Sequence, residues 1–240
     1  MSLLKIPFIL ASAIGTHVSF TSPSPSPSSK ESVVPSLFEF IIKWCIKLRC
    51  PELMKINIWA ISLVEVANIL ATRIGPSDIP EGISGTRAVQ LLHALHPTPI
   101  TPAFLVGSIA IALGGALRFY CMSTLGKFWS FNLSVRKEHR LMTSGPYSVV
   151  RHPSYAGLLL QSAGTVVAYG SQGSWMRQSG ILQVPFIKAL TSITFVLVII
   201  HTWISLSRPA PEDQMLQGAL GEEWETWAKE VRYRLVPGIY

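Results

Sequence analysis

The sequence predicts an all-α, polytopic integral membrane protein with about five transmembrane helices and a cytosolic helical segment at its C-terminus. Its 240 residues are 49% hydrophobic and only 14% charged. The mean hydropathy of the chain is +0.39, which is unusual for a soluble domain of this size. Several apolar runs are also long enough to cross about 30 Å of hydrocarbon as a helix.

The apolar runs define the candidate spans, which cover residues 3–20, 54–72, 102–122, 155–171 and 181–207. The first run also fits a signal peptide, because Lys5 precedes an apolar stretch that ends in the small residues Ala11-Ser12-Ala13. The fourth run is short and rich in Gly, Ala and Ser, which favours close packing between helices over exposure to lipid. The fourth and fifth runs should form a helical hairpin.

The distribution of Lys and Arg sets the expected orientation. Loops 21–52 and 123–154 carry four and five basic residues, whereas loop 73–100 carries two. Because cytosolic loops are enriched in Lys and Arg, we expect a retained first helix with a lumenal N-terminus and a cytosolic C-terminus. The net charge of +7 is explained by this topology and by contact with anionic membrane lipid, so it indicates no nucleic-acid partner.

The chain divides into three predicted parts. Residues 1–52 hold the first helix, the extended Ser/Pro linker at 22–29 and an amphipathic segment. Residues 53–122 hold helices two and three, and residues 123–240 form a core that carries the motifs described below.

Two segments have amphipathic character. Residues 36–50, SLFEFIIKWCIKLRC, separate apolar from basic side chains, which fits either a helix lying on the membrane or the cytosolic end of a longer second helix. Near the C-terminus, Trp224, Trp227 and Val231 recur at helical spacing. This spacing predicts a helix that lies on the membrane or against loop 123–154.

The cysteine and histidine patterns predict no metal site. Cys45, Cys50 and Cys121 lack metal-ligand spacing, and the six His residues form no HExxH pair.

The stretch GPYSVVRHPSYAG, residues 145–157, is the first motif with chemical content. Gly145 and Pro146 indicate a turn, and Pro153 suits the first position of the following helix. Arg151 and His152 would then surround a helix N-terminus, where free N–H groups and the helix dipole attract anions. The residues alone fit equally well a loop at the lipid headgroups.

A second polar cluster follows the last apolar run. Arg208 is followed by Glu212 and Asp213, with Pro209 and Pro211 between them. The two prolines predict a break and a new helix that begins near Pro211. An alternative is that the acids only cap this helix while Arg208 anchors a helix end at the headgroups.

Together the two clusters resemble the isoprenylcysteine carboxyl methyltransferase family. Residues 139–157, HRLMTSGPYSVVRHPSYAG, are similar to its H-x-L-V-T-x-G-P-Y and R-H-P-S-Y-x-G signature. Arg208, Glu212-Asp213 and LGEEWETWAKEV at 220–231 resemble its R, E-E and F-G-x-E-Y-x-x-Y pattern. The resemblance covers about residues 120–240. This chain departs from the pattern in having Asp213 for the second Glu, and Arg136 where animal enzymes have a cofactor-side Gln.

The resemblance implies a multi-pass enzyme of the endoplasmic reticulum membrane with an active site facing the cytosol. It would use S-adenosylmethionine to esterify the C-terminal carboxylate of a prenylated cysteine in CaaX-processed proteins. Arg208 and Glu212 would be catalytic, and Arg208 would bind the substrate. The implied cofactor-binding residues are His139, Arg140, Leu141, Met142, Tyr147, His152, Pro153, Ser154, Tyr155 and Glu212. Alternatives are a phosphatidylethanolamine N-methyltransferase, a nicotinamide-dependent reductase of the steroid-reductase type and a non-catalytic membrane scaffold.

Several polar residues fall inside the apolar runs. We expect Asn68, Gln161 and His201 to form hydrogen bonds between helices, whereas Glu65 fits such a role and a substrate contact equally well.

Overall fold

The computed structural model describes residues 2–25, 37–73, 98–135 and 140–239. Half of the Ser/Pro linker and most of loop 73–100 lie outside these ranges, as do Arg136 and His139. The described ranges contain helices and no β-strand, which confirms the all-α prediction. Three of the helices are long and apolar enough to cross a membrane, namely Cys50–Ala71, Pro102–Phe128 and Pro185–Ser207.

In chain order, the helices of the described ranges are α1 (Ile6–Ser19), α2 (Leu37–Lys47), α3 (Cys50–Ala71), α4 (Pro102–Leu125), α5 (Pro153–Gly170), α6 (Trp175–Gln178), α7 (Pro185–Ser207), α8 (Pro209–Leu220) and α9 (Glu222–Glu230). The last predicted span therefore begins at Pro185 rather than at residue 181. Gly180, with φ of 71°, and a 3-10 turn at Ile181–Gln183 precede it.

Helices α4 and α5 pack with their backbones in close contact. A Cβ atom placed on Gly114 of α4 would lie 2.5 Å from the carbonyl oxygen of Gly157 on α5. The same atom on Gly157 would lie 2.9 Å from the carbonyl oxygen of Gly114. Small residues let helix backbones approach this closely, so the close packing predicted for the fourth run is confirmed.

Helix α1 is fastened to the other helices by buried polar groups. The Lys5 ammonium forms an ion pair with Glu65 and donates to Thr98 Oγ1 and to the carbonyl oxygen of Gly173. At the other end of α1, Ser19 Oγ donates to Gln161 Oε1 at 2.8 Å. Buried charges are tolerated when they are paired, and the ion pair with Lys5 gives Glu65 a structural role between helices. The hydrogen bond of Gln161 to Ser19 confirms the interhelical contact expected for Gln161.

Helix α2 is separate from α3. Arg49, between them, adopts a left-handed backbone conformation with φ of 56°, which ends one helix before the other begins at Cys50. This arrangement favours a distinct amphipathic helix over an extension of the second span. Its exposed face carries Phe40 and Trp44, whereas Glu39 is 2% exposed and faces the protein interior.

The C-terminal helices fold back onto the loop that precedes α5. Helix α8 begins at Pro209, two residues before the start predicted near Pro211. Pro209 suits the first position of the helix, because no N–H is required there. The predicted break is present, since α7 ends at Ser207. Trp227 of α9 is buried with Tyr147 and Trp129, so α9 packs against the loop region 123–154.

Candidate active site

The corner formed by residues 145–155 is the starting point of the site. Gly145 has φ of 60° and opens a 3-10 turn over Gly145–Ser148. The chain then turns into α5, with Pro153 at its beginning and His152 just before it. The predicted turn at Gly145-Pro146 and the predicted place of Pro153 are both confirmed.

The C-terminal tail holds this corner in place. The backbone N–H groups of Arg151 and His152 donate to the carbonyl oxygens of Tyr233 and Arg234, at 2.9 and 2.8 Å. The Arg151 guanidinium also donates to the carbonyl oxygen of Val231 at 3.1 Å. The strongest sequence motif is therefore shaped by residues about eighty positions further along the chain.

Asp213 connects three basic side chains beneath the corner. Its carboxylate lies 2.8 Å from His152 Nε2, 2.8 Å from Arg234 Nε and 3.2 Å from Arg151 Nη2. A carboxylate only accepts hydrogen bonds, so His152 Nε2 carries the hydrogen in this contact. Burial raises the pKa of Asp213, but the contacts with His152, Arg234 and Arg151 outweigh it, and the pKa lies below its ordinary value.

Glu212 points to the other side of the same corner. The Tyr155 hydroxyl donates to Glu212 Oε2 at 2.7 Å, and His152 Nδ1 lies 3.8 Å from the same oxygen. The Glu212 N–H donates to the carbonyl oxygen of Arg208 at 3.1 Å. Arg208 and Glu212 are thus joined through the first turn of α8, and both lie over the corner at His152 and Tyr155.

Arg208 is held by a residue that the sequence did not indicate. Its Nη2 lies 2.9 Å from Glu39 Oε1, and its Nη1 donates to the carbonyl oxygen of Phe131 at 2.7 Å. Both charged side chains are buried. In the described part of the chain, Arg208 Nε is a buried donor with no hydrogen-bond partner. Helix α2 therefore orients Arg208 through Glu39 and leaves one N–H of the guanidinium for a further acceptor.

A single cavity lies between these groups. It encloses about 1440 Å³ of space free of protein atoms, including the solvent at its mouth. The predicted site residues that line it are Arg140, Leu141, Met142, Tyr147, His152, Ser154, Tyr155, Arg208 and Glu212. Pro153 is buried at the start of α5 and does not line the cavity, while His139 lies outside the described residues.

The rest of the cavity wall is largely apolar. Side chains of α2, α5 and α7 extend it away from the polar corner, including Ile42, Leu158 and Ile200. His201 also lines it, with its ring 4.9 Å from that of Phe20. The cavity thus has a charged end at α8 and an apolar end among the long helices.

Arg118 of α4 is a further buried arginine of the site, and the sequence patterns did not single it out. It is 4% exposed and lines the cavity. Its Nη1 donates to Ser154 Oγ at 3.0 Å, and its Nη2 donates to the carbonyl oxygen of Ser19 at 3.1 Å. A charged residue inside an apolar run was the available signal for this position.

Tyr147 supplies a neutral phenol to the cavity, because burial raises the pKa of its hydroxyl well above its ordinary value.

Among the residues that the structure describes, no group of three His, Cys, Asp or Glu side chains could hold a metal ion.

Comparison with protein families gives a match in the same region. Residues 106–172 match the model of the isoprenylcysteine carboxyl methyltransferase (ICMT) family. The matched segment contains most of α4, the corner and all of α5. The resemblance noted from the sequence motifs is therefore confirmed.

Two of the curated relatives point the same way at modest identity, and a third has a different name. A probable protein-S-isoprenylcysteine O-methyltransferase of Oryza sativa subsp. indica is 28% identical over 129 residues, which cover 52% of this chain and 57% of the rice protein. A protein-S-isoprenylcysteine O-methyltransferase of Xenopus laevis is 43% identical over 72 residues, or 28% of this chain and 24% of that protein. A Delta(14)-sterol reductase of Neurospora crassa is 26% identical over 122 residues, or 45% of this chain and 25% of that protein.

The chain spans little more than half the length of the first curated relatives that it matches. No solved structure matches it.

Proposed function

We propose that this chain, whose residues 106–172 match the isoprenylcysteine carboxyl methyltransferase family, methylates the C-terminal carboxylate of prenylated cysteine with S-adenosylmethionine as donor. One observation carries the proposal. Arg208 and Glu212 line the same cavity as His152, Ser154 and Tyr155, so the two motifs that resemble the family meet in space. The names of the rice and Xenopus relatives support the same reaction.

The residues around the cavity fit S-adenosylmethionine by their chemistry. Glu212 offers a carboxylate with 27% of its side chain exposed, suited to the cofactor's amino or ribose groups. Its orientation is set by the Tyr155 hydroxyl. The full set that would hold the cofactor is His139, Arg140, Leu141, Met142, Tyr147, His152, Pro153, Ser154, Tyr155 and Glu212, with Pro153 acting through its placement of α5.

Bound S-adenosylmethionine would supply an activated methyl group. The cysteine carboxylate is already ionised at neutral pH, so the protein need not provide a general base. Its task is alignment, and holding two reactants in position can supply on the order of 7–11 kcal/mol. Arg208 would hold the carboxylate through its buried Nε, while Glu39 and the Phe131 carbonyl oxygen keep the guanidinium in place.

The apolar end of the cavity suits a prenyl chain. Ile42, Leu158, Leu197 and Ile200 line it, and each buried CH₂ contributes roughly 0.8 kcal/mol. The charged end would then receive the cysteine carboxylate from the lipid side, while the cofactor enters from the aqueous side.

For the topology we propose five spans, formed by α1, α3, α4, α5 and α7, in the endoplasmic reticulum membrane. The site would face the cytosol together with the C-terminal segment, because loops 21–52 and 123–154 are the most basic. The partners would be prenylated proteins or peptides and membrane lipid, with no nucleic acid.

The similarity to a Delta(14)-sterol reductase supports a second candidate, a reductase acting on a sterol with a nicotinamide cofactor. Calorimetric binding of S-adenosylhomocysteine but not of a reduced nicotinamide dinucleotide would favour the methyltransferase. The opposite binding pattern would favour the reductase.

The decisive experiment is transfer of labelled methyl from S-adenosylmethionine to N-acetyl-farnesylcysteine by the purified protein in liposomes. We expect a base-labile ester. Phosphatidylethanolamine serves as competitor, and label found in that lipid alone would overturn the proposal.

The role of Arg208 is tested in the same assay. Loss of one charge-assisted hydrogen bond costs about 1.5–3 kcal/mol, so Arg208→Ala should lower kcat/KM by about 10- to 150-fold. Lys188→Ala, at an exposed position of α7, is the matched control and should retain full activity. Wild-type activity in Arg208→Ala would remove the role assigned to this side chain.

A further inference from the structure

Arg118 differs from the other buried or partly buried arginines around the cavity in its partners. Arg208 is paired with Glu39 at 2.9 Å, and Arg151 and Arg234 are paired with Asp213 at 3.2 and 2.8 Å. Among the described residues, no acidic side chain forms an ion pair with Arg118.

The hydrogen bonds of Arg118 go to neutral acceptors. Nε and Nη2 donate to the carbonyl oxygen of Ser19 at 3.4 and 3.1 Å. Nη1 donates to the carbonyl oxygen and the Oγ of Ser154 at 3.2 and 3.0 Å. The guanidinium has five N–H groups, so one hydrogen on Nη2 is left for another acceptor. The ring of Trp129 lies 5.6 Å from Cζ and keeps the group away from water.

A buried guanidinium with only neutral partners is unfavourable, because dipoles replace water incompletely around a full charge. Arg118 is 4% exposed, yet it lines the cavity. An anionic group bound in the cavity would compensate this charge. Glu39 and Glu212 already have other partners, since Glu39 is engaged with Arg208 and Glu212 with Tyr155.

We propose that Arg118 is a second carboxylate-binding residue of this site and receives the carboxylate of an amino-acid-like ligand. This inference rests on the proposed function, in which both the methionine part of the cofactor and the prenylated cysteine carry such a group. Arg118 forms the bond through Nη2, and Ser154 keeps the guanidinium in position. Glu212, which also lines the cavity and carries the opposite charge, then favours an amino group over a second carboxylate.

The test measures binding with ligand pairs that differ in one carboxylate. Calorimetry compares S-adenosylhomocysteine with its decarboxylated analogue, in the wild type, Arg118→Gln and Arg118→Lys. A parallel assay compares the KM of N-acetyl-farnesylcysteine with the inhibition constant of its carboxamide. Arg118→Gln keeps a side chain that can donate hydrogen bonds and removes the charge.

If the cofactor carboxylate binds Arg118, Arg118→Gln weakens S-adenosylhomocysteine binding by about 10- to 150-fold and leaves its decarboxylated analogue within about 3-fold. If the cysteine carboxylate is the partner, the KM of N-acetyl-farnesylcysteine rises by that factor, while the carboxamide is unaffected. Either result supports the inference and identifies the source of the carboxylate.

Equal weakening of the acid and of its carboxylate-free partner would show a merely structural role for Arg118, and unchanged affinities would also overturn the inference. If Arg118→Gln does not fold, Arg118→Lys decides, because it keeps the charge and should lose affinity only for the carboxylate-bearing ligands. Failure of the wild type to bind or methylate any ligand would instead refute the proposed function.

Discussion

Asp213 gives the sharpest prediction about stability, because its carboxylate holds the corner and the C-terminal tail together. Replacement by Asn keeps the size of the side chain and removes its charge. One oxygen becomes an NH₂ group, which faces the N–H donors of His152, Arg151 or Arg234. The contacts with His152 and Arg151 are largely buried, whereas the side chain of Arg234 is 32% exposed and counts for little.

The expected loss follows from these contacts. Buried hydrogen bonds to charged groups contribute about 1.5–3 kcal/mol each, and the amide keeps only part of them. We therefore expect Asp213→Asn to lower the free energy of unfolding by about 2–4 kcal/mol, which corresponds to a fall in Tm of roughly 4–16 °C for a chain of this size.

Thermal unfolding of the detergent-purified protein with a thiol-reactive fluorophore measures this change, since Cys50 and Cys121 are buried free thiols. Glu222→Gln, which removes an exposed charge from the same segment, is the control and should shift Tm by no more than about 2 °C. An Asp213→Asn protein that melts with the control would refute the reasoning.

The same carboxylate makes stability depend on pH. The pKa of Asp213 is lower in the folded protein than its ordinary value, so its contribution is present above the unfolded pKa of about 3.9. The contribution is lost as the pH falls through the folded pKa. The difference in Tm between the wild type and Asp213→Asn should therefore be largest near neutral pH and shrink below about pH 4. A difference that stays constant across this range would contradict the assignment.

Further predictions concern packing, a buried pair and a strained residue. Gly114→Val would push α4 away from α5, because the added Cβ would lie 2.5 Å from the carbonyl oxygen of Gly157, and it should lower the free energy of unfolding by about 3 kcal/mol. Gly218→Ala is the control, since a Cβ there meets no atom within 4 Å, and it should leave Tm unchanged or slightly higher. Lys5→Met leaves Glu65 buried without its cation and should cost about 3–5 kcal/mol; adding Glu65→Gln should recover most of the Tm. Arg49→Gly relieves a positive φ and should stabilise by about 1 kcal/mol, whereas Arg49→Ala should bring no such gain.

Much of the fold follows from local patterns. Apolar runs of span length predict α3, α4 and α7, and the Gly and Pro residues at 145, 146 and 153 predict the corner. Helix starts are harder to place, since α7 begins at Pro185 and α8 at Pro209. At both positions a proline suits the first turn of a helix, and hydropathy does not report where that turn begins.

The sequence does not predict which polar side chains pair inside the fold. The motifs alone predict Arg208, Glu212 and His152 as site residues, because their order and spacing resemble a known signature. The sequence around Glu39 does not indicate that it faces Arg208, which lies between α7 and α8, far along the chain. Glu39 occurs in an amphipathic segment, where a carboxylate ordinarily faces water.

Composition and periodicity were enough to establish a helical membrane-type chain with two polar motifs, because burial in hydrocarbon and backbone geometry act on neighbouring residues. The pairing of Arg208 with Glu39, the neutral hydrogen-bond partners of Arg118 and the ion pair of Lys5 with Glu65 depend on how the helices pack. The stability of a buried charge depends on which distant groups packing brings within a few ångströms, and the local sequence around that charge does not contain this information.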